Sequence, residues 1–181
     1  VSVIELSRML GVSDQTIRRV SQSLVESGNL SKVHGALVSN RTATDPPFLA
    51  RMNLNRDAKV AIAKLTADII PDDSSVAIDT GSTSGFIAQA LRTKQRLTVV
   101  TNSAFVASTL AIIPGNKVSM AGTQLRDHDG AAFDRSAFDV IEHMQVDYVV
   151  LSASMVDAER GFLVHEKCEV DIANAMLKNA A

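Results

Sequence analysis

The chain has no tryptophan and only one tyrosine among its 181 residues, and aromatic side chains make up 4% of it. A core built from this sequence must therefore be aliphatic, and a hydrophobic content of 46% is ample for one. There is a single cysteine, Cys168, so no internal disulfide can form and no Cys/His metal cluster is expected. No apolar run reaches membrane-spanning length and no signal peptide opens the chain. A membrane is thus not expected as a partner, and a reducing cytoplasm is the expected location. The Gly-x-x-x-x-Gly-Lys spacing of a nucleotide-binding loop is also missing, and no cofactor is expected.

What is present is unevenly distributed. Residues 1–60 carry a net charge of +3 and the remainder −5, within an overall −2. A basic head on an acidic body is compatible with nucleic-acid contact by the head, although differences of this size are common between domains. The head reads "SVIELSRMLGVSDQTIRRVSQSLVESGNLSKVHGALVS". Ile4, Leu6, Met9 and Leu10 suit a short amphipathic helix that Gly11 can end. Ser13 is a good N-cap for a second helix, with Asp14 at its positive end. On that helix Ile17, Val20 and Leu24 are expected to share the inward face, while Gln15, Thr16, Arg18 and Arg19 point elsewhere. Gly28 is expected to end it, and Leu30 to Ser39 to form a hairpin turning at His34-Gly35. Two helices, a tight turn and a wing can place Arg and Gln against base edges or phosphates in the DNA major groove. The plainer alternative is a helical hairpin with solvated arginines.

The stretch "GVSDQTIRRVSQSLVESGNLSKVHGA" closely resembles the winged helix of DeoR-family bacterial transcription regulators. Thr16, Ile17, Arg18, Arg19, His34 and Gly35 match its pattern. Val20 and Ser21 stand where the family usually has Asp and Leu, and Ala36-Leu37 departs at the end of the wing. The resemblance implies operator DNA as a partner, with Ser13, Gln15, Thr16, Arg18, Arg19 and His34 as candidate contacts. It also implies a first helix upstream of Val1, and a further strand and helix beyond "NAMLKNAA". Without the upstream helix, residues 1–40 are expected to be loosely held.

Residues 40–56 are polar and contain Pro46-Pro47, which reads as a connector. A helix is expected from about Asp57 to Ile70. Thereafter strand candidates at 75–78, 97–101, 117–121 and 148–151 alternate with helical stretches at 85–91, 105–112 and 136–144. This alternation predicts an α/β domain with a mainly parallel sheet over 57–181. Ligands in such sheets bind beyond the carboxyl ends of the strands, here the loops "DTGSTS" (79–84), "TNSA" (101–104), "AGTQLR" (121–126) and "SASMVD" (152–157). In the first loop a glycine, several hydroxyls and a helix start suit a phosphate. The alternative is a set of ordinary strand-to-helix caps.

The ordered motifs D-x-G-S-T, V-x-T-N-S, a glycine before x-L-R, and V-D-x-x-x-L-x-A resemble the DeoR-type sensor domain, which is similar in fold to ribose-5-phosphate isomerase and the coenzyme A transferases. The resemblance implies a phosphorylated sugar or related metabolite as effector. The candidate effector residues are Asp79, Gly81, Ser82, Thr83, Ser84, Thr101, Asn102 and Ser103, with Gly122 from the third loop and Glu169 from "EKCEVDIANAML". Ser154 and Met155 replace the family's usual Asp and Gly, and Ala173 falls where lysine is frequent. The competing reading is a sugar-phosphate isomerase with Glu169 as base. The closely spaced acids of those enzymes are missing from 152–157, and an enzyme has no need of residues 1–39. His128, between Asp127 and Asp129, reads as part of a solvated loop, Cys168 as a bystander thiol, and no metal ligands are assigned. A homo-oligomer, dimer or higher, is expected because paired operator half-sites call for symmetry.

Overall fold

The computed structural model describes residues 1–26, 30–33, 36–39 and 46–181. They fall into two compact units, Val1–Thr44 and Asp45–Ala181.

The first unit opens with α1 (Val3–Leu10), started by a capping box in which the Ser2 hydroxyl accepts the Glu5 N–H and the Glu5 carboxylate accepts the Ser2 N–H. Gly11 ends it at φ 64°, the left-handed conformation expected of that glycine. Helix α2 (Asp14–Glu26) begins where the Ser13 hydroxyl accepts the Thr16 N–H at 3.2 Å. Strands β1 (Leu30–Val33) and β2 (Ala36–Ser39) pair antiparallel with Leu30 opposite Ser39. The expected turn at His34-Gly35 and the expected helix end at Gly28 lie outside the described residues. Val3, Ile17 and Leu37 form the core, with Leu6, Val25 and Leu30 packed against it.

The inward face of α2 differs from the expected one. Val20 and Leu24 are 57% and 42% exposed, whereas Ser21 is buried. The apolar neighbours meet the helix along Ile17 and Val25, and Ser21 lies midway between these two on the same face. That roll turns Val20 and Leu24 outward.

In the second unit the connector expectation for 40–56 gives way within 48–53, where the chain forms α3 (Phe48–Asn53). Pro47 occupies the N-cap position, so the two prolines lead into a helix rather than excluding one. Phe48 anchors it: the ring is buried and lies 5.1 Å from that of Phe105. Six residues are too few for apolar periodicity to declare a helix.

Helix α4 (Arg56–Ile69) follows, then β3 (Ser75–Ile78), α5 (Ser82–Leu91), β4 (Thr98–Thr101), α6 (Ala104–Ala111), β5 (Lys117–Met120), α7 (Arg135–Ile141) and β6 (Tyr148–Val150). The four strands make one parallel sheet in the order β5-β4-β3-β6. Alternation along the strands covers both faces. Val76, Ile78 and Val99 belong to one core cluster, Ala77 and Val100 to the other. Ile78 pairs in register with both Thr101 and Val150, and Thr101 with Met120, so all four strands end at one edge. Beyond β6 lie a small hairpin, β7 (Met155–Asp157) with β8 (Gly161–Leu163), and α8 (Lys167–Lys178). The hairpin takes up part of a segment read from sequence as a loop.

Candidate functional site

In the first unit, Gln15, Arg18 and Arg19 are exposed on α2, because Ile17 and Ser21 hold the opposite side against the core. Ser13 and Thr16 take part in the helix start: their hydroxyls lie 2.9 Å apart and Ser13 accepts the Thr16 N–H. Gln22 is tied to Glu26 and to Lys32 of β1, linking the helix to the hairpin. Of the six candidate contacts, His34 lies outside the described residues. The outer face of α2 thus offers two guanidinium groups and an amide, the donors that reach phosphates and base edges.

The second unit carries a recess of about 50 Å³ at the carboxyl edge of the sheet, lined by Arg51, Asp79 to Thr83, Asp129, Ser152 to Ser154, Val164 and Glu169. Asp79, Gly81, Ser82, Thr83 and Glu169 of the expected set meet there. The loop after β3 can run tightly into α5 because Gly81 adopts φ 141°, closed to residues with a side chain, and the Ser152 hydroxyl sits against its Cα while donating to the Thr80 carbonyl at 2.8 Å. Thr80 and Ser84 bury hydroxyls that have no hydrogen-bond partner among the described residues, a costly state that a polar ligand or water relieves.

Asp79 lines the recess and is buried. Burial pushes its carboxyl up to about 7, against the Thr80 N–H that donates to it at 2.6 Å; Glu169 and Asp129 add to the rise and Arg126 opposes it. Asp129 and Glu169 are held by Arg126. Its guanidinium makes a two-pronged contact with Asp129 at 3.2 and 2.5 Å and reaches Glu169 at 3.0 Å and Glu166 at 3.3 Å. It also lies 4.0 Å over the Phe133 ring. Burial works against its charge, but the bonds to Asp129 and Glu169 hold its pKa above the ordinary value. The second oxygen of Glu169 accepts the N–H groups of His165 and Glu166 at 3.1 and 3.2 Å, closing the capping box of α8.

Thr101, Asn102, Ser103 and Gly122 are not among the residues lining the recess. Thr101 accepts the Ser103 N–H, Asn102 donates to the Ala132 carbonyl at 3.2 Å, and Ser103 caps α6. Gly122 sits at φ 93° where a Cβ would overlap that of Ala132. Its loop is fixed by Asp134, whose carboxyl the Ser136 hydroxyl and the Thr123 and Gln124 N–H groups hold well below the usual carboxylate range. Thr101, Asn102 and Ser103 thus bridge β4 to α6, and Gly122 lies in the loop that follows β5. Ser84 packs in the core behind the loop with its hydroxyl unpaired.

Residues 152–154 belong to one of the four loops expected to hold a ligand, whereas Arg51 and Asp129 were not foreseen as lining residues. Asp129 is a correction to the solvated-loop expectation. Asp127 is exposed, but Asp129 is 6% exposed and paired with Arg126, three positions earlier, and that spacing was its signal. Arg51 reaches the recess only because α3 packs on α5, which no local pattern announces. Cys168 is half-buried, and burial, with Glu166 beside it, pushes its thiol pKa up, consistent with an inert residue. Among the described residues no helix is long and apolar enough to cross a membrane.

A family model described as DeoR C terminal sensor domain matches residues 54–181, and one described as DeoR-like helix-turn-helix domain matches residues 1–43. Over 180 residues the chain is 31% identical to the Glycerol-3-phosphate regulon repressor of Escherichia coli (strain K12), covering 99% of this chain and 71% of that protein. It is 30% identical to the HTH-type transcriptional repressor CsqR of the same organism, covering 99% and 69%. It is 28% identical to the Transcriptional repressor AccR of Agrobacterium fabrum, covering 98% and 70%. Helix-turn-helix and sensor domain therefore stand in one chain, in the order of the two structural units, and the chain belongs to the DeoR family of transcriptional regulators.

Proposed function

We propose that the chain is a transcriptional repressor that binds operator DNA through the outer face of α2 and is controlled by a phosphorylated polyol or sugar bound at the sheet edge of its sensor domain. The observation that carries the effector reading is the junction of β3 and α5. A glycine without a side chain and the first residues of α5 line one recess, and Thr80, whose buried hydroxyl has no partner among the described residues, lines it with them. Small residues and the positive end of α5 favour an anion there. The carboxylates of Asp79, Asp129 and Glu169 repel an anion but accept hydrogen bonds from hydroxyls, so a ligand with a phosphate at one end and hydroxyls at the other satisfies both halves. The name of one relative, a glycerol 3-phosphate regulon repressor, supports a small phosphorylated polyol.

Catalysis is not part of this reading. An isomerase on this scaffold needs a base free to take a proton, and Glu169, the candidate, has one oxygen on Arg126 and the other on two backbone N–H groups. Repression is relieved by a population shift in which the effector binds the DNA-competent arrangement less well than the alternative. The working form is a cytoplasmic homo-oligomer, dimer or higher, matching paired half-sites.

The test is thermal shift and calorimetry with glycerol 3-phosphate, ribose 5-phosphate and fructose 1-phosphate beside their dephosphorylated counterparts. The phosphorylated compounds should raise the melting temperature and the others should not. Equal response to both would remove the phosphate from the reading. Conversion of ribose 5-phosphate to ribulose 5-phosphate that Glu169→Gln abolishes would establish the enzyme instead.

A further inference from the structure

Helix α4 carries apolar side chains on two opposite sides. Its inner side is small: Ala63 and Ala67 are buried in the core cluster that holds Phe86, Ile87 and Leu91 of α5. Its outer side is large: Ile62, Leu65 and Ile69 share one face and are 46%, 66% and 67% exposed. A helix that serves only its own domain turns its long aliphatic side chains inward and its polar ones to water. On α4 the long ones stand outside, at i, i+3 and i+7, the spacing of a seam between two helices. An aliphatic stripe of this kind marks a surface that another surface covers.

Charge on the flank of the stripe points to the occupant. Lys64 and Asp68 lie there, exposed and one turn apart. The same spacing closes an ion pair between Arg135 and Asp139 at 3.0 Å in α7, and between Lys167 and Asp171 at 2.6 Å in α8. Lys64 and Asp68 form no ion pair among the described residues. A flank that carries one charge of each sign is complementary to itself when turned end for end. A foreign partner has to bring the matching pair in the matching order, whereas a second copy of this chain brings it by symmetry.

We propose that α4 is the self-association face of the sensor unit. Two copies pack their α4 helices antiparallel about a two-fold axis, with Leu65 against Ile69 of the partner subunit and Lys64 beside Asp68 of the partner subunit, each contact made twice. This rests on the homo-oligomer reading above and gives it an interface. None of the described residues that line the recess belongs to α4, so pairing leaves the effector residues uncovered by this contact. One helix of this length, about 21 Å, covers less than the roughly 800 Å² that each partner gives to a stable interface. The pair therefore dissociates on dilution.

The experiment is sedimentation velocity on the full chain across a dilution series. Wild type should pass reversibly from dimer to monomer. Leu65→Asp and Ile69→Asp, each placing a charge in the seam, should raise the dissociation constant at least about tenfold, with melting temperature near wild type because both positions are exposed in the single chain. Phe162→Ser, which removes a large exposed side chain on β8, should leave it unchanged. Lys64→Asp and Asp68→Lys make the flank all acidic or all basic, and each alone should weaken pairing about threefold or more. Mixed together, the two chains should form a heterodimer within about threefold of the wild-type affinity, which a merely structural effect of either substitution would not produce. A wild-type dimer that Leu65→Asp and Ile69→Asp leave intact, or mixed chains that pair no better than either alone, overturns the α4 interface and leaves the homo-oligomer reading standing. Wild type that stays monomeric at every concentration overturns both.

Discussion

The Ser152 hydroxyl occupies the position that a side chain on Gly81 would need, and it holds that position by donating to the Thr80 carbonyl at 2.8 Å. The two loops, from the ends of the neighbouring strands β3 and β6, are thus built against each other at the mouth of the recess.

This contact makes Gly81→Ala a double fault, with a left-handed φ of 141° and an overlap with Ser152. We expect a loss of about 2–4 kcal/mol, from backbone strain and from crowding. Ser152→Gly in the same chain should recover the crowding part and leave the strain. Urea unfolding of both single variants and the double variant measures it; strictly additive losses would show that the two residues do not meet.

Asp79 sets a pH dependence. Its carboxyl is raised from the ordinary carboxylate range to about 7, chiefly by burial. A raised carboxyl keeps its proton in the folded state while the unfolded chain has released it, so stability from this group is full below about pH 4 and is lost as pH rises to about 7. Asp79→Asn stays neutral and can still accept the Thr80 N–H. Its melting temperature should gain on wild type between pH 5 and pH 8. Parallel melting curves for the two proteins across that range would count against the buried-acid account.

Arg126 gathers Asp129, Glu166 and Glu169 around one guanidinium, and the Asp129 side chain is 2% exposed. Arg126→Met leaves a buried carboxylate unpaired and should cost about 3 kcal/mol. Arg126→Lys should recover less than half of this, because an ammonium has no planar fork for Asp129 and stacks less well on Phe133. Full rescue by lysine, in chemical unfolding at neutral pH, would mean that charge alone matters.

Ser21 is buried on α2, and its hydroxyl donates to the Arg18 carbonyl three residues back. That bond adds little to a helix whose carbonyls already have partners, so Ser21→Ala should be neutral or stabilise the first unit by up to about 1 kcal/mol. A loss above that amount, by hydrogen exchange at residues 14–25, would show that the hydroxyl is needed.

On the outer face of the same helix, Arg18→Ala and Arg19→Ala test the DNA contact. Each lost phosphate contact should lower the slope of log affinity against log salt by roughly 0.9, while a lost base contact should relax sequence preference. Operator binding equal to wild type across a salt series would take both residues off the interface.

Elements whose signals are local were legible in the sequence. Gly11 ending α1, Ser13 opening α2, and the run Ser75–Ile78 all follow from backbone preference or alternation, and the structure places them as read. The loop at 79–84 was also legible, because a strand that ends in small residues before a helix announces its own geometry. What distance in sequence conceals was decided by packing. Which side of α2 faces inward depended on where Leu30 and Leu37 lie, and the pattern Ile17, Val20, Leu24 could not anticipate it. Asp79 and Glu169 meet in the recess although ninety residues separate them, and Thr101 to Ser103, which share the same kind of loop, do not line it. Arg51 comes to the site because Phe48 finds a place beside Gly85, a fit of one ring against a missing side chain. Local chemistry sets the elements and the loops able to hold an anion; the sheet order and the packing of α3 and α8 decide which charges surround it.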